Sequence, residues 1–324
     1  MMNSPEERKP FRILSLDGGG IKGAFTAAVL ARLEAETGKR TAEHFDLITG
    51  TSTGGILAIG LGLGFSAREL LDFYIERGPI IFPSTFVQTR LSRLRQLFRP
   101  RHSHQVLRQE LVQILGDKAF SDSRCPLVIP TFDAIGGRVY LMKTNHAPSL
   151  FRERGALAVD VALATSAAPT YFAAARFPLH NNASYIDGGV WANCPAMVGV
   201  TEAIAFFGRQ PADIDMLSIG TTSSPFNISR QRNAGALGWN VGIISLMFEA
   251  QVEAARAHAG LIAGAFHRID ADVVAGEYSL DRADRGTVEK LAALGDARAS
   301  LKDNMAVVRS RFFNGQAAAS HPRY

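Results

Sequence analysis

Over its first 220 positions the chain alternates short apolar runs with longer stretches in which apolar residues recur every third or fourth place. The short runs predict buried strands, and the periodic stretches predict helices laid over them. Phe11 to Leu16 is expected as a strand and Ala24 to Glu36 as a helix closed by Gly38. The run Phe45 to Thr49 predicts a second strand that leads into a helix from Gly54, followed by helices over Ala67 to Arg77 and Gln105 to Leu115. Leu127 to Phe132 and Arg138 to Met142 read as two strands joined by a turn at Gly136-Gly137. A helix over Ala156 to Thr165, a strand over Ser184 to Ile186, a helix over Ala196 to Phe207 and a strand over Ile214 to Ile219 complete the alternation. Short strands separated by helices imply an α/β fold with a largely parallel sheet covered on both faces. Beyond Gly220 the pattern turns mainly helical: Gly235 to Gly264 is rich in alanine, and Thr287 to Phe312 is amphipathic. Only the two ends, Met1 to Pro10 and Gly315 to Tyr324, read as loosely held.

Three glycine-rich turns interrupt this pattern at strand ends, and each carries a reactive group. In Gly50-Thr51-Ser52-Thr53-Gly54 a serine sits between a strand and a helix. A chain that turns so sharply leaves its corner side chain projecting, while glycines on either side let the backbone pass and a substrate approach. Asp17-Gly18-Gly19-Gly20-Ile21-Lys22-Gly23 follows the first strand and opens a helix. Bare amides at a helix N-terminus stabilise negative charge, either a phosphate or the oxyanion of a tetrahedral intermediate. Gly18, Gly20 and Gly23 also satisfy the dinucleotide fingerprint. That fingerprint wants an acidic residue at the end of the second strand, where this chain has the serine turn instead. The third turn, Asp187-Gly188-Gly189, follows a strand; an Asp-Gly pair there is either an ordinary turn or the base that Ser52 needs. Ser52 without a base would be inert, which favours the second reading. His258 or His267, downstream of Asp187, keeps a Ser-Asp-His arrangement open.

Composition narrows the class. An apolar share of 47% with 20% charged residues is that of an ordinary globular protein. Two distant cysteines, Cys125 and Cys194, fit a reducing compartment and exclude a disulfide framework. The N-terminus does not read as a signal peptide, and no run has the roughly 18 apolar residues of a spanning helix. A cytoplasmic protein is expected. The net charge of +5 is unevenly spread: between Glu76 and Glu110 there is no acidic residue, but there are Arg77, Arg90, Arg93, Arg95, Arg99, Arg101 and Arg108. Leu91, Leu94, Leu97 and Phe98 interleave with them, so the stretch reads either as a solvated basic face or as a surface for anionic lipid or ligand. Nothing calls for a nucleic-acid polymer.

Taken together and in this order, Asp-Gly-Gly-Gly-Ile-Lys-Gly, Gly-Thr-Ser-Thr-Gly-Gly and Asp-Gly-Gly resemble the motifs of the patatin-like phospholipases, as does Ala164-Thr165-Ser166-Ala167-Ala168-Pro169. The resemblance spans 11–207 and implies a three-layer α/β catalytic domain there. The rest, 208–324, is expected as a further strand and a mainly helical region packed on the same domain. It implies a Ser–Asp dyad without histidine, Ser52 the nucleophile and Asp187 the base, and hydrolysis of fatty acyl esters of membrane glycerophospholipids. Gly18, Gly19 and Gly20 with Lys22 would form the oxyanion site, and Gly23, Gly50, Gly54, Gly188 and Gly189 would be the motif glycines. No metal or organic cofactor is implied. The chain also resembles the bacterial patatin-like effectors of antiphage defence that cyclic dinucleotides activate. That likeness implies a cyclic dinucleotide as activator, peripheral association with the inner membrane and compatibility with a homo-oligomer. A nucleotide-binding oxidoreductase on the Gly18–Gly23 loop and a catalytically silent membrane-binding protein are the readings from other classes.

Overall fold

The computed structural model of the chain describes residues 9–83, 100–224, 242–314 and 324. Its centre is an eight-stranded sheet in the order β5-β6-β3-β2-β1-β7-β8, with β4 paired to β3 off this path. The strands are β1 (Phe11–Leu16), β2 (Leu47–Gly50), β3 (Leu127–Asp133), β4 (Arg138–Lys143), β5 (Ala175–Phe177), β6 (Ala183–Asp187), β7 (Ile214–Ile219) and β8 (Ala265–Ile269). The helices are α1 (Gly23–Thr37), α2 (Thr53–Gly62), α3 (Ala67–Ile81), α4 (His104–Leu115), α5 (Ala158–Thr165), α6 (Gly189–Ala192), α7 (Ala196–Phe207), α8 (Gly242–Ile262), α9 (Arg285–Ala299) and α10 (Lys302–Val307).

Alternation along the central strands builds the layers. On β1, Leu14 and Leu16 face one core with α1, α2, α3, α5 and α9; Phe11 and Ile13 face the other with α7 and Ala259 of α8. β7 repeats this, with Leu217 and Ile219 on the first face and Ile214 and Met216 on the second. Both faces of the central strands are therefore dry, and helices cover them as the apolar runs imply. The helix stops also follow the sequence: Gly38 takes φ 70° after α1, and Ser66 and Glu69 close a reciprocal capping box at the start of α3.

The expectation of a largely parallel sheet holds only for β1, β2, β3, β7 and β8. β4, β5 and β6 run antiparallel to their partners. A parallel connection needs a crossover of a dozen or more residues, and the links from β3 to β4 and from β5 to β6 are too short. β3 and β4 are joined through Gly136-Gly137; β5 and β6 are joined through Asn181 and Asn182, both at positive φ. β5 and β8 were not foreseen, and β8 proves important below. Of the basic stretch, Arg90, Arg93, Arg95 and Arg99 with Leu91, Leu94, Leu97 and Phe98 lie outside the described residues. The remaining three arginines are paired: Arg77 with Glu110 (3.7 Å), Arg101 with Asp281 (3.2 Å) and Arg108 with Asp160 (2.6 Å). Among the described residues no helix is long and apolar enough to cross a membrane.

Candidate active site

The sheet brings Ser52 and Asp187 together by an arrangement the pattern of strands did not show. β2 pairs in parallel with the start of β3, through Thr49 opposite Val128. β6 pairs antiparallel with the end of β3, through Asp187 opposite Thr131. The two strands thus approach each other head to head along β3, with only Ile129 and Pro130 between their last partners. Pro130 has no N–H to leave unpaired at this changeover. Its carbonyl accepts the Thr165 hydroxyl at 2.7 Å, and the Thr165 oxygen in turn accepts the Ser52 amide at 3.0 Å.

Ser52 occupies the corner at φ 55°, ψ −121°, a conformation costly for any residue with a Cβ. The flanking glycines are a steric necessity. A Cβ on Gly50 would lie 2.1 Å from the Gly54 carbonyl oxygen, and one on Gly54 would lie 2.2 Å from that of Leu16. Thr51 anchors the turn by donating its hydroxyl to the Ala192 carbonyl at 2.6 Å. The N-terminus of α2 stands directly behind Ser52, so its dipole favours negative charge there.

Asp187, at the end of β6, is buried, whereas Ser52 is half-exposed. The Ser52 hydroxyl stands close enough to the Asp187 carboxylate to favour its ionised form. The Gly189 amide donates to the same group at 2.7 Å. Burial pushes the Asp187 carboxyl up to about 6, and the Ser52 hydroxyl and the Gly189 amide hold the rise in check. It is therefore ionised at neutral pH yet a better proton acceptor than a free carboxylate. Gly188 must lack a side chain because a Cβ would stand 2.3 Å from the Pro130 oxygen. Among the described residues, no imidazole is hydrogen-bonded to Ser52 or to Asp187. His258 is exposed on α8, and His267 on β8 pairs with Asn304 at 3.1 Å.

The turn from Asp17 to Gly23 runs alongside. A Cβ on Gly18 would come within 3.4 Å of the Ser52 Cβ. The Gly18 amide is committed to the Asn193 carbonyl at 2.9 Å, which removes it from the expected set of oxyanion donors. The Gly19 and Gly20 amides have no acceptor among the described residues, so they are the open pair. Gly20 takes φ 58°, and a Cβ there would be 2.2 Å from the Leu280 oxygen. Gly23 lets α1 start hard against Thr53, whose hydroxyl would be 2.1 Å from a Cβ. Lys22 differs from expectation: its ammonium donates to the Thr222 carbonyl at 3.2 Å and stands in the field of Asp270, Glu249 and Asp17. The acceptors around it, more than the glycine amides, fix where it points.

Sequence reasoning missed Asn193, Thr221, Arg268 and Asp270, and it gave Thr165 no role. Thr165 lies within a motif that was visible; Asn193 follows α6, and Thr221, Arg268 and Asp270 lie on or just beyond β7 and β8, outside every motif.

A hydroxyl on a strained corner, close to a buried carboxylate and beside open amides, can support acyl transfer. Comparison with known families agrees with this chemistry: the chain belongs to the patatin-like phospholipases, whose family model matches residues 14–200. It is accordingly a lipid-hydrolysing enzyme. A "cGAMP-activated phospholipase" of Vibrio cholerae is 33% identical over 91% of this chain and 93% of its own length. One of Pseudomonas aeruginosa is 35% identical over 74% of this chain and 72% of its own. Among solved structures, that of VipD from Legionella pneumophila aligns with 94% of this chain and 67% of its own at 11% identity, with a TM-score of 0.41.

Proposed function

We propose that Ser52 and Asp187 are the catalytic dyad of a phospholipase that removes fatty acyl chains from membrane glycerophospholipids. The observation that carries this reading is the Ser52 hydroxyl, on its strained corner, close to a buried carboxylate poised at about 6. Ser52 Oγ attacks the ester carbonyl carbon as its proton passes to Asp187. The carbonyl oxygen becomes an oxyanion held by the Gly19 and Gly20 amides and by the positive end of α2. When the tetrahedral intermediate collapses, the C–O bond to the glycerol oxygen breaks, and that oxygen leaves with the proton from Asp187. Asp187, ionised again, takes a proton from water, whose oxygen attacks the acyl-Ser52 ester. The fatty acid departs and the proton returns to Ser52.

The names of the two bacterial relatives support regulation by a cyclic dinucleotide, and their alignment over most of this chain supports carrying that regulation across. The enzyme acts from the membrane surface, where its substrate lies. The test is fatty-acid release from phosphatidylethanolamine–phosphatidylglycerol vesicles, with and without cGAMP. Release by the wild type and none by Ser52→Ala is expected, with a higher rate when cGAMP is present. Release by Ser52→Ala would overturn the dyad, and equal rates with and without cGAMP would remove the activator.

A further inference from the structure

β8 lies outside the span matched by the family model, yet it reaches the glycine turn. It pairs in parallel with β7, Ile219 opposite Ile269, and β7 pairs with β1, Leu16 opposite Ile219. This register sets Arg268 beside Asp17, the first residue of the turn. Arg268 Nη2 donates to Asp17 Oδ2 at 2.7 Å and to Asp270 Oδ2 at 2.6 Å, and its Nη1 donates to Ser218 Oγ at 2.8 Å. Asp270 accepts the Thr222 amide at 3.0 Å and the Ser223 hydroxyl at 2.9 Å. Thr221, one residue earlier, donates its hydroxyl to the Gly18 carbonyl at 2.9 Å. The three charged side chains are nearly enclosed, at 3% exposure for Asp17, 10% for Arg268 and 14% for Asp270.

The position of Asp17 makes this consequential. A free aspartate readily turns its carboxylate onto the amide two residues ahead, forming an Asx-turn. For Asp17 that amide is Gly19, one of the two open donors. A carboxylate there would occupy the donor and place a negative charge where the reaction must develop one. Arg268 holds the Asp17 oxygen and balances its charge in a buried place where a lone carboxylate is costly. Asp270 orients the arginine and fixes the loop through which Thr221 holds Gly18.

We propose that Arg268 and Asp270 are positioning residues for the oxyanion turn: they keep the Gly19 amide free by holding Asp17 away from it. The proposal rests on the Ser52–Asp187 reading and assigns part of the catalytic architecture to the C-terminal third of the chain.

The test uses the full chain with Arg268→Gln, Arg268→Lys and Asp270→Asn. For each variant it measures kcat and KM on phospholipid in mixed micelles, with thermal unfolding to give the folded fraction. Two inhibitors separate the roles. A fatty-acyl trifluoromethyl ketone adds Ser52 and becomes an oxyanion, whereas a diether phospholipid occupies the site without reacting. Arg268→Gln is expected to lower kcat by about 100-fold, the scale of losing one oxyanion donor, with KM within about twofold. Ketone affinity should fall in parallel, diether affinity should stay unchanged, and Asp270→Asn should show the same split at about tenfold. Arg268→Lys should recover part of the loss. The proposal is overturned if folded Asp270→Asn and the folded Arg268 variants keep wild-type kcat, or if ketone and diether affinities fall together. Should Arg268→Gln not fold, Asp270→Asn and Arg268→Lys decide by the same readings. An inactive wild type would instead count against the dyad and its function.

Discussion

Ser52 and Asp187 are each held in an unfavourable state, but the penalties differ in kind. For Ser52 the penalty is conformational: a partly buried residue at φ 55° between glycines that cannot be replaced. For Asp187 it is electrostatic: an ordinary strand residue whose carboxylate is buried and driven up to about 6. The nucleophile's strain is independent of pH; the base's penalty exists only while the group is ionised. The difference means that the two halves of one dyad can be told apart by stability as well as by rate.

The largest effect expected is on turnover. Ser52→Ala and Asp187→Asn should each lower fatty-acid release by about 10³-fold or more, measured at saturating lipid. Next is the steric frame of the elbow. Gly54→Ala would drive a Cβ against the Leu16 and Asp17 carbonyl oxygens, at 2.2 and 2.7 Å, and neither is the end of a flexible side chain. Urea unfolding should show a loss of about 3 kcal/mol.

Stability then separates the pair. The folded Asp187 carboxyl binds its proton more tightly than the unfolded one, so its penalty is absent below pH 4, grows between pH 4 and about 6, and is full above. Asp187→Asn, though inactive, should therefore be about 2 kcal/mol more stable than wild type at pH 8 and no more stable at pH 4. A gain that persists at pH 4 would assign the penalty to packing. The smallest effect belongs to the corner: Ser52→Gly should exceed Ser52→Ala in stability by about 1 kcal/mol at every pH, because only glycine is at ease at that φ. Equal stabilities would mean that the corner is not strained.

Most of what the sequence made legible was written in glycine. Gly50, Gly54 and Gly188 announce themselves because backbone passes within van der Waals distance of where a Cβ would stand. The apolar runs of β1 and β7 show because both strands are covered on both faces. What stayed hidden depends on partners distant in the chain. β6 reads as a strand, but its antiparallel sense follows from a turn at Asn181-Asn182 that no glycine marks. β8 alternates Phe266 and Arg268 with Ala265, His267 and Ile269, and Asp270 follows directly, so these charged residues break the apolar signature of a buried strand. Gly18 and Lys22 were assigned to the oxyanion site by motif. In the structure, Asn193 takes the amide of the first and the Thr222 carbonyl takes a proton donor of the second. A motif gives the residue types, but only the surrounding acceptors decide which donors remain open.

The central claim is that a carboxylate alone, with no imidazole, serves as base to Ser52. It is tested most directly by kcat/KM for phospholipid hydrolysis between pH 4 and pH 8, in the wild type and in the double variant His258→Ala/His267→Ala. Both proteins should gain activity with rising pH through an apparent pKa near 6 and then level off, as ionisation of Asp187 requires. Loss of activity, or of that inflection, in the histidine double variant would contradict the account.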